Sequence, residues 1–256
     1  MAYSTLLFEQ TDDLALITLN RPEKRNAIST AMIEELLAAL AEAETSAARV
    51  VILTGAGKAF CAGMDLEALR AISSHSTEQN LEDSRRMARM FRRLYTYPKP
   101  LIAAVNGPAI AGGSALATLC DFTLAVPDAK FGFTEVRIGF IPAIVSVFLR
   151  RQIGEKQARD LLLTGRIFGA EEAQRLGLVN EIVPHEILLD RARELAATLI
   201  AASPSSLAAT KRLLLKCAEA ELDLAVWENA GIRATADFRE GLAAFLEKRA
   251  PKWGSD

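Results

Sequence analysis

Two glycine turns, Gly63-Met64 and Gly112-Gly113, have the composition needed to stabilise a developing negative charge. Each turn follows a predicted buried strand region and begins a predicted helix, so its N–H groups have no partner within that helix. These donors also lie at the positive end of the helix dipole. Donors from two such turns can converge on one oxygen and form an oxyanion hole. On spacing alone, an equal alternative is that the glycines only let a strand and a helix pack closely.

A second chemical feature is Glu135, which lies in the apolar segment 131–139. Desolvation among apolar side chains raises the pKa of a carboxyl, which suits the group to accept and return protons near neutral pH. The sequence leaves a plainer alternative open, in which Glu135 is solvated in the first turn of a helix capped by Thr134. Arg137 then either pairs with Glu135 or faces solvent.

Strands and helices alternate in the first half of the chain, which predicts a right-handed parallel α/β core. Apolar runs predict strands over residues 3–9, 14–20, 49–53, 101–105 and 122–126. Helices are predicted from Ser29 or Thr30 to Glu44, over 82–95 and from the Gly112-Gly113 turn, with a polar, mobile stretch at 72–80. From Pro142 onward the pattern is helical apart from 178–183, and breaks at Gly154 and other positions separate these helices.

Composition excludes several classes of function. Half of the 256 residues are hydrophobic, which is ample for a sizeable core, and the net charge of −2 provides no basic field for nucleic acid. No apolar run reaches the length of a membrane span and no signal peptide is evident, so we expect neither membrane association nor secretion.

Cysteine and histidine usage argues against a metal or disulfide framework. The cysteines Cys61, Cys120 and Cys217 are scattered without CxxC spacing, which is typical of reduced thiols in a cytoplasmic protein. The two histidines, His75 and His185, lie in polar or turn-like settings. We therefore expect no metal site and no histidine-based triad.

Several ordered motifs together resemble one family over nearly the whole chain. They include Leu19-Asn20-Arg21-Pro22, Phe60-Cys61-Ala62-Gly63-Met64-Asp65-Leu66, Ala111-Gly112-Gly113, Leu163-Thr164-Gly165, Gly177-Leu178-Val179-Asn180 and Phe245-Leu246-Glu247-Lys248. In this combination the chain resembles the enoyl-CoA hydratase/isomerase (crotonase) superfamily. The segment 135–143 lacks the glycine-rich turn that often follows the proline and looks closest to methylglutaconyl-CoA hydratase-like members. A glutaconyl substrate carries a free carboxylate, and Arg137 is the nearest candidate in sequence to meet it.

The resemblance implies an α/β fold built as a crotonase-like spiral of ββα repeats. It implies a spiral core over residues 1–195 and a C-terminal helical trimerisation region over 196–256. The expected assembly is a homotrimer or a dimer of trimers, with an acyl-CoA thioester as substrate and no cofactor beyond the coenzyme A that the substrate carries.

The resemblance also assigns roles to individual residues. The backbone N–H groups of Met64 and Gly112 are expected to form the oxyanion hole, and Glu135 to act as the catalytic acid and base. Asp65 is expected to hold the turn or helix start rather than to carry protons. The expected coenzyme A contacts are Lys24, Arg25, Ala62, Asp65, Leu66, Phe245 and Lys248, the last two reaching the coenzyme A of a neighbouring subunit.

One departure from the family pattern bears on the reaction. Two-carboxylate hydratases of the family carry a glutamate where this chain has Ala115. Hydration with Glu135 alone is our leading expectation, which makes the protein a hydro-lyase. An enoyl-CoA isomerase using the same glutamate is the close alternative, because moving a double bond needs only one base. A catalytically silent coenzyme A-binding scaffold is the alternative from a different class.

Overall fold

The structure, a computed structural model, describes residues 3–72, 74–215 and 219–252. Within these ranges the chain forms nine β-strands and ten α-helices. The strands are β1 (Leu6–Thr11), β2 (Leu14–Leu19), β3 (Val50–Gly55), β4 (Leu101–Val105), β5 (Ala109–Ile110), β6 (Phe122–Ala125), β7 (Lys130–Gly132), β8 (Ile167–Gly169) and β9 (Glu181–Ile182). The helices are α1 (Thr30–Thr45), α2 (Leu66–Ile72), α3 (Thr77–Tyr95), α4 (Gly112–Thr118), α5 (Ala143–Thr164), α6 (Ala170–Arg175), α7 (Leu188–Ile200), α8 (Pro204–Leu215), α9 (Glu219–Ile232) and α10 (Ala236–Leu246).

A six-stranded sheet forms the centre of the molecule, in the order β1-β2-β3-β4-β6-β9. The first two strands form an antiparallel hairpin, and every later neighbour in this sheet pairs in parallel. All residues of β4 are buried, because helices cover the sheet, α4 and α7 packing against this strand. The predicted parallel α/β core is confirmed.

A second, three-stranded sheet has the order β5-β7-β8 and lies beside the first. Its strands contain only two or three residues each, too few to leave an alternating pattern in the sequence. The prediction that the chain after Pro142 is helical apart from residues 178–183 was wrong at β8 for this reason. Isolated bridges also pair Ile28 with Met64 and Cys61 with Ala109, which ties the loop before α2 to this region.

Helix boundaries match the sequence patterns with one clear exception. Helix α1 begins after Ser29, whose hydroxyl accepts a hydrogen bond from the Met32 amide as expected of an N-cap. Helix α3 begins at Thr77, inside the stretch predicted to be polar and mobile, because Ser76 and Gln79 form a capping box. The expected break at Gly154 is present as a residue with φ 77° inside α5.

The C-terminal helices pack onto the elements that carry the candidate site. Helix α9 contacts α3 and α5, and α10 contacts the short 3₁₀ helix Glu135–Ile138. The predicted boundary between residues 195 and 196 lies within α7. The division into a core and a trimerisation region stays a prediction.

Two of the three cysteines lie in the core of the protein. Cys61 and Cys120 are free and buried, whereas Cys217 lies outside the described residues. None of the helices described is long and apolar enough to cross a membrane.

Asn26 anchors the turn between β2 and α1. Its side chain is fully buried, and its Oδ1 accepts a hydrogen bond from the Arg21 amide at 2.9 Å. Its Nδ2 donates to the carbonyl oxygens of Ala56 at 2.9 Å and Ala59 at 2.8 Å. The backbone φ of Asn26 is 55°, a conformation that asparagine tolerates better than most residues. These contacts fix the turn to the loop that leads toward Gly63-Met64.

Replacing Asn26 with alanine is therefore expected to lower the free energy of unfolding by ~3 kcal/mol or more. Three hydrogen bonds worth ~1 kcal/mol each are lost, and alanine is strained at this φ. Urea unfolding measures the change. Arg25→Ala is the matched control, since Arg25 also has a positive φ of 50° but an exposed side chain. Equal losses in the two variants would show that the hydrogen bonds do not stabilise the turn.

Candidate active site

One cavity of about 520 Å³ brings together nine of the ten residues that the sequence assigned to a site. Those lining it are Lys24, Arg25, Ala62, Met64, Asp65, Leu66, Gly112, Glu135 and Phe245. The tenth, Lys248, is exposed just beyond α10, with its amide 3.3 Å from the Phe245 carbonyl oxygen, and does not line this cavity. Residues far apart in the chain thus line one cavity.

The two glycine turns are in direct contact. A Cβ on Gly113 would lie 2.1 Å from the carbonyl oxygen of Cys61. A Cβ on Gly63 would lie 2.9 Å from the Ile110 carbonyl oxygen and 3.8 Å from the Gly112 nitrogen, and Gly63 has a φ of 90°. Both positions therefore require glycine for close packing, and the same packing places the two candidate donors side by side.

The N–H groups of Met64 and Gly112 are both left without a backbone acceptor within the described residues. Ile28 pairs with Met64 as a parallel bridge, in which Ile28 donates to the Gly63 carbonyl and accepts from the Asp65 amide. In such a bridge the N–H of Met64 points to the opposite side. Gly112 is the first residue of α4, whose N–H has no intrahelical partner. Two unpaired donors therefore border one cavity.

A strained residue precedes the Gly112 donor. Ala111 has φ 51° and ψ −119°, a conformation that costs a non-glycine residue about 1–3 kcal/mol. Its amide donates to the Gly132 carbonyl at 2.6 Å. The Ser114 hydroxyl supports the turn by donating to the Ala109 carbonyl at 2.6 Å and accepting from the Gly132 amide at 3.0 Å. These hydrogen bonds hold the strained turn.

Glu135 is buried at the start of its 3₁₀ turn, with 9% of its surface exposed. Its Oε2 has no hydrogen-bond partner among the residues that the structure describes, and burial raises the pKa of the carboxyl to about 7. Thr134 makes no side-chain cap, so the alternative of a solvated, capped glutamate is wrong. Arg137 is exposed, lies against Gly165 and does not line the cavity.

The other two carboxyl groups that line the cavity differ from Glu135. Asp65 is in an ion pair with Arg21 at 2.8 Å, and its Oδ1 accepts the Glu67 amide at 2.9 Å. Burial would raise the pKa of Asp65, but the Glu67 amide and the Arg21 guanidinium lower it. Glu23 is exposed. Asp65 thus stabilises the start of α2 through these contacts, as the sequence predicted.

Ala115 is completely buried in α4 and does not line the cavity. No second carboxylate therefore faces Glu135 from this position. Among the residues that the structure describes, no cluster of His, Cys, Asp or Glu side chains could hold a metal ion.

Positive charge and exposed apolar surface occur together along part of the cavity. Lys24 and Arg25 are exposed, and the Lys24 Nζ lies 3.3 Å from Glu67. Leu66 and Phe245 are about half exposed although both line the cavity. This region can contact a ligand that has both anionic and apolar parts.

The sequence analysis missed Asn229 and Arg233, which also line the cavity. Both are buried, at 5% and 3% exposure. Their i, i+4 spacing near the end of a helix is the only signal in the sequence that they share a face, and nothing local shows that this face is buried.

Comparison with known proteins identifies the family. The family model for enoyl-CoA hydratase/isomerase matches residues 9–256. A Thermus thermophilus protein provisionally named enoyl-CoA hydratase is 48% identical over 245 residues, which cover 94% of this chain and 97% of that protein. The 2,3-dehydroadipyl-CoA hydratase of Escherichia coli K12 is 35% identical over 254 residues, covering 97% of this chain and 98% of that protein.

A solved structure agrees with the sequence relatives. The crystal structure of an enoyl-CoA hydratase/isomerase from Xanthobacter autotrophicus Py2 superposes with a TM-score of 0.87 at 33% identity, covering 99% of this chain and all of that one. The chain belongs to the enoyl-CoA hydratase/isomerase family and has the crotonase fold. The finer resemblance to methylglutaconyl-CoA hydratase-like members stays a prediction.

The buried carboxyl of Glu135 is testable through stability alone. Its pKa is about 7 in the folded protein against an ordinary 4.5, so between these values the folded state binds the proton more tightly than the unfolded state. The contribution of Glu135 to the free energy of unfolding is therefore fully present below the unfolded-state pKa of 4.5. It is lost as the pH rises through the folded-state pKa of about 7. From about pH 5 to about pH 8, the free energy of unfolding should therefore fall by up to ~3 kcal/mol more in wild type than in Glu135→Gln.

Urea unfolding at the two pH values measures this difference, with Glu9→Gln as control. Glu9 is an exposed residue of β1, so this variant should follow wild type at both pH values. A Glu135→Gln protein that also follows wild type at both values would contradict the buried, raised-pKa carboxyl.

Proposed function

We propose that this protein is an enoyl-CoA hydratase that adds water across the 2,3 double bond of an acyl-CoA thioester. The observation that carries the proposal is the unpartnered, buried Oε2 of Glu135 in the cavity that Met64 and Gly112 also line. The relatives named as enoyl-CoA hydratases support the same type of reaction. They also support an acyl-CoA thioester as the substrate.

The two backbone donors activate the substrate in this mechanism. The thioester carbonyl oxygen accepts hydrogen bonds from the N–H groups of Met64 and Gly112. These bonds strengthen as negative charge develops on that oxygen, so they stabilise the enolate more than the ground state. Loss of one such donor typically costs about 3–4 kcal/mol of transition-state stabilisation. The double bond becomes electrophilic at C3.

Glu135 transfers the proton. As carboxylate it removes a proton from a water molecule whose oxygen bonds to C3, while the π electrons move toward the thioester oxygen. The protonated carboxyl then returns the proton to C2, and the carbonyl re-forms. A pKa of about 7 allows one group to be base and acid in turn near neutral pH.

The coenzyme A moiety is assigned to the exposed part of the cavity. Lys24 and Arg25 supply positive charge for its phosphates, while Ala62 and Leu66 offer apolar contact. We further propose that the protein assembles as a homotrimer or dimer of trimers in the cytoplasm, with Phe245 and Lys248 reaching the coenzyme A of a neighbouring subunit. The half-exposed ring of Phe245 is available for such a contact.

Isomerisation is the second candidate, and Ala115 is the observation that favours it. A single carboxylate can remove a proton from C2 of a 3-enoyl-CoA and return it to C4. Without a glutamate at Ala115, the water needed for hydration has one carboxylate partner instead of two. A silent coenzyme A-binding scaffold is less well supported, because both free donors and the buried Glu135 are present together.

Glu135→Gln is expected to reduce turnover by at least about 100-fold while acyl-CoA binding stays within about threefold, because the amide keeps the shape but cannot cycle a proton. Steady-state kinetics and calorimetric titration with a saturated acyl-CoA measure the two effects. The exposed Glu9→Gln change is again the control. Unchanged turnover would remove Glu135 from the mechanism.

A side-by-side assay separates the candidate reactions. Purified wild type is incubated with a 2-enoyl-CoA and, separately, with a 3-enoyl-CoA of the same length, and products are resolved by mass. A gain of one water on the 2-enoyl substrate is expected for the hydratase. A shifted double bond in the 3-enoyl substrate without hydration identifies the isomerase, and tight binding with neither product identifies the scaffold.

A further inference from the structure

A buried arginine borders the cavity and takes no part in the mechanism proposed above. Arg233 follows α9 directly, is only 3% exposed and lines the same cavity as Glu135. Within the described part of the chain, its Nε and Nη1 are buried without a hydrogen-bond partner. A buried guanidinium with unused donors is unfavourable unless an anion completes it.

The guanidinium is oriented by neighbours that do not neutralise it. Its Nη2 donates to Oδ1 of Asn229 at 3.1 Å, and the same oxygen accepts the Ser84 hydroxyl at 2.8 Å. Its carbon Cζ lies 5.3 Å from the centre of the Phe140 ring. These contacts position the planar group, but none of them carries a negative charge.

Asp83, the acidic group that forms an ion pair with Arg233 among the described residues, also contacts His75 and Arg86. Asp83 lies 2.9 Å from His75 Nδ1 and 3.3 Å from Arg86 Nη1, but 3.7 Å from Arg233 Nη1. Burial lowers the pKa of Arg233 to about 10, against the opposing effect of Asp83, so the guanidinium remains charged at neutral pH. The cavity wall therefore keeps a positive charge that Asp83 only partly compensates.

Phe140 contacts both Arg233 and Glu135. The Phe140 ring stacks against its guanidinium, and the Phe140 amide donates to the Glu135 carbonyl oxygen at 3.0 Å. Burial raises the pKa of Glu135, and among the described residues its Oε2 has no hydrogen-bond partner. The two ionisable groups thus lie in one cavity without pairing with each other.

We propose that Arg233 binds a carboxylate at the far end of the acyl chain, so that the preferred substrates are enoyl-CoA thioesters with a terminal carboxylate. This inference rests on the proposed function and specifies its substrate class. A carboxylate accepts hydrogen bonds from a guanidinium, and Arg233 has unused donors on Nε and on Nη1, either of which can bind a carboxylate oxygen. A coenzyme A phosphate fits this position less well, because Lys24 and Arg25 offer exposed charge for a solvated group.

The assignment replaces Arg137 as the contact for a substrate carboxylate. Arg137 is exposed and outside the cavity lining, whereas Arg233 is buried in it. The two residues are separated by 96 positions, the difference between 233 and 137. Proximity in sequence to Glu135 was therefore a poor guide to proximity in the cavity.

Matched substrates test the proposal. Hydration of 2,3-dehydroadipyl-CoA is compared with that of 2-hexenoyl-CoA, and glutaconyl-CoA with 2-pentenoyl-CoA, so that each pair differs by a carboxylate in place of a methyl group. The measured quantity is the ratio of kcat/KM within a pair, which does not depend on the fraction of enzyme that is folded. Wild type should favour the carboxylate member of at least one pair.

The variants Arg233→Met, Arg233→Lys, Arg86→Met and Arg137→Met separate the possible roles. Arg233→Met should lower the wild-type ratio by about 10- to 100-fold, the range expected for lost hydrogen bonds to a charged group. Arg233→Lys keeps the positive charge and should therefore retain part of the wild-type ratio. Arg137→Met should leave the ratio unchanged. Arg86→Met removes a competitor for Asp83, so it should lower the ratio by less than Arg233→Met does. An equal ratio in wild type and Arg233→Met, or a wild-type preference for both methyl substrates, overturns the proposal.

Binding of saturated analogues distinguishes failure of the subsite from failure of the reaction. Calorimetric titration compares adipyl-CoA with hexanoyl-CoA on wild type and Arg233→Met. If none of the four unsaturated substrates is hydrated but adipyl-CoA binds more tightly through Arg233, the hydratase proposal fails and the carboxylate subsite stands. If there is neither hydration nor preferential binding, both proposals fail. Hydration without any dependence on Arg233 retains the reaction and removes the subsite.

Discussion

The close contact between the two glycine turns is the constraint on which the rest of the site depends. Gly113 lies so close to the Cys61 carbonyl oxygen that any side chain there would collide with it. The contact joins the loop after β3 to the start of α4 and leaves the Met64 and Gly112 donors side by side. The conformation of Ala111 is the local cost of this arrangement. Packing and candidate chemistry therefore depend on the same glycines, and the two alternatives that the sequence offered for them are compatible.

A second close contact buries the candidate acid and base. A Cβ on Gly139 would lie 2.3 Å from the Asp237 carbonyl oxygen, and a Cβ on Gly241 would lie 2.4 Å from the carbonyl carbon of Ile138. Helix α10 is thus packed directly onto the short turn that begins with Glu135. Burial of the carboxyl follows from this packing together with the surrounding apolar wall. The C-terminal helices are consequently part of the proposed active site as well as the expected region of assembly.

The cavity holds two ionisable groups that are poorly compensated by the protein itself. Glu135 has an oxygen without a partner, and Arg233 has two such nitrogens. A core selected only for stability would pair or replace such groups, since each unsatisfied buried polar atom is costly. The proposed function supplies a water and the thioester end of the substrate beside Glu135, and the proposed subsite supplies a carboxylate beside Arg233. Under these two proposals, the groups at the two ends of one acyl chain provide the partners that Glu135 and Arg233 lack within the protein.

Local patterns were sufficient to predict much of the fold. Apolar runs long enough to show their period located β2, β3, β4 and β6, and Ser29 marked the start of α1. The short strands β5, β7 and β8 were missed because two or three residues are too few to leave an alternating pattern. The early start of α3 was missed because its capping box lies within a polar stretch.

For the site, the sequence determined which residues are chemically able to act: the two glycine turns, Glu135 and the absence of a carboxylate at Ala115. Only the tertiary structure decided that they share a cavity, that Glu135 is desolvated, and that Arg233 rather than Arg137 borders it. The physical reason is that residue type and helix or strand propensity are local properties. Desolvation and the convergence of donors, by contrast, depend on contacts between segments far apart in the chain, such as Gly113 with Cys61 and the Glu135 turn with α10.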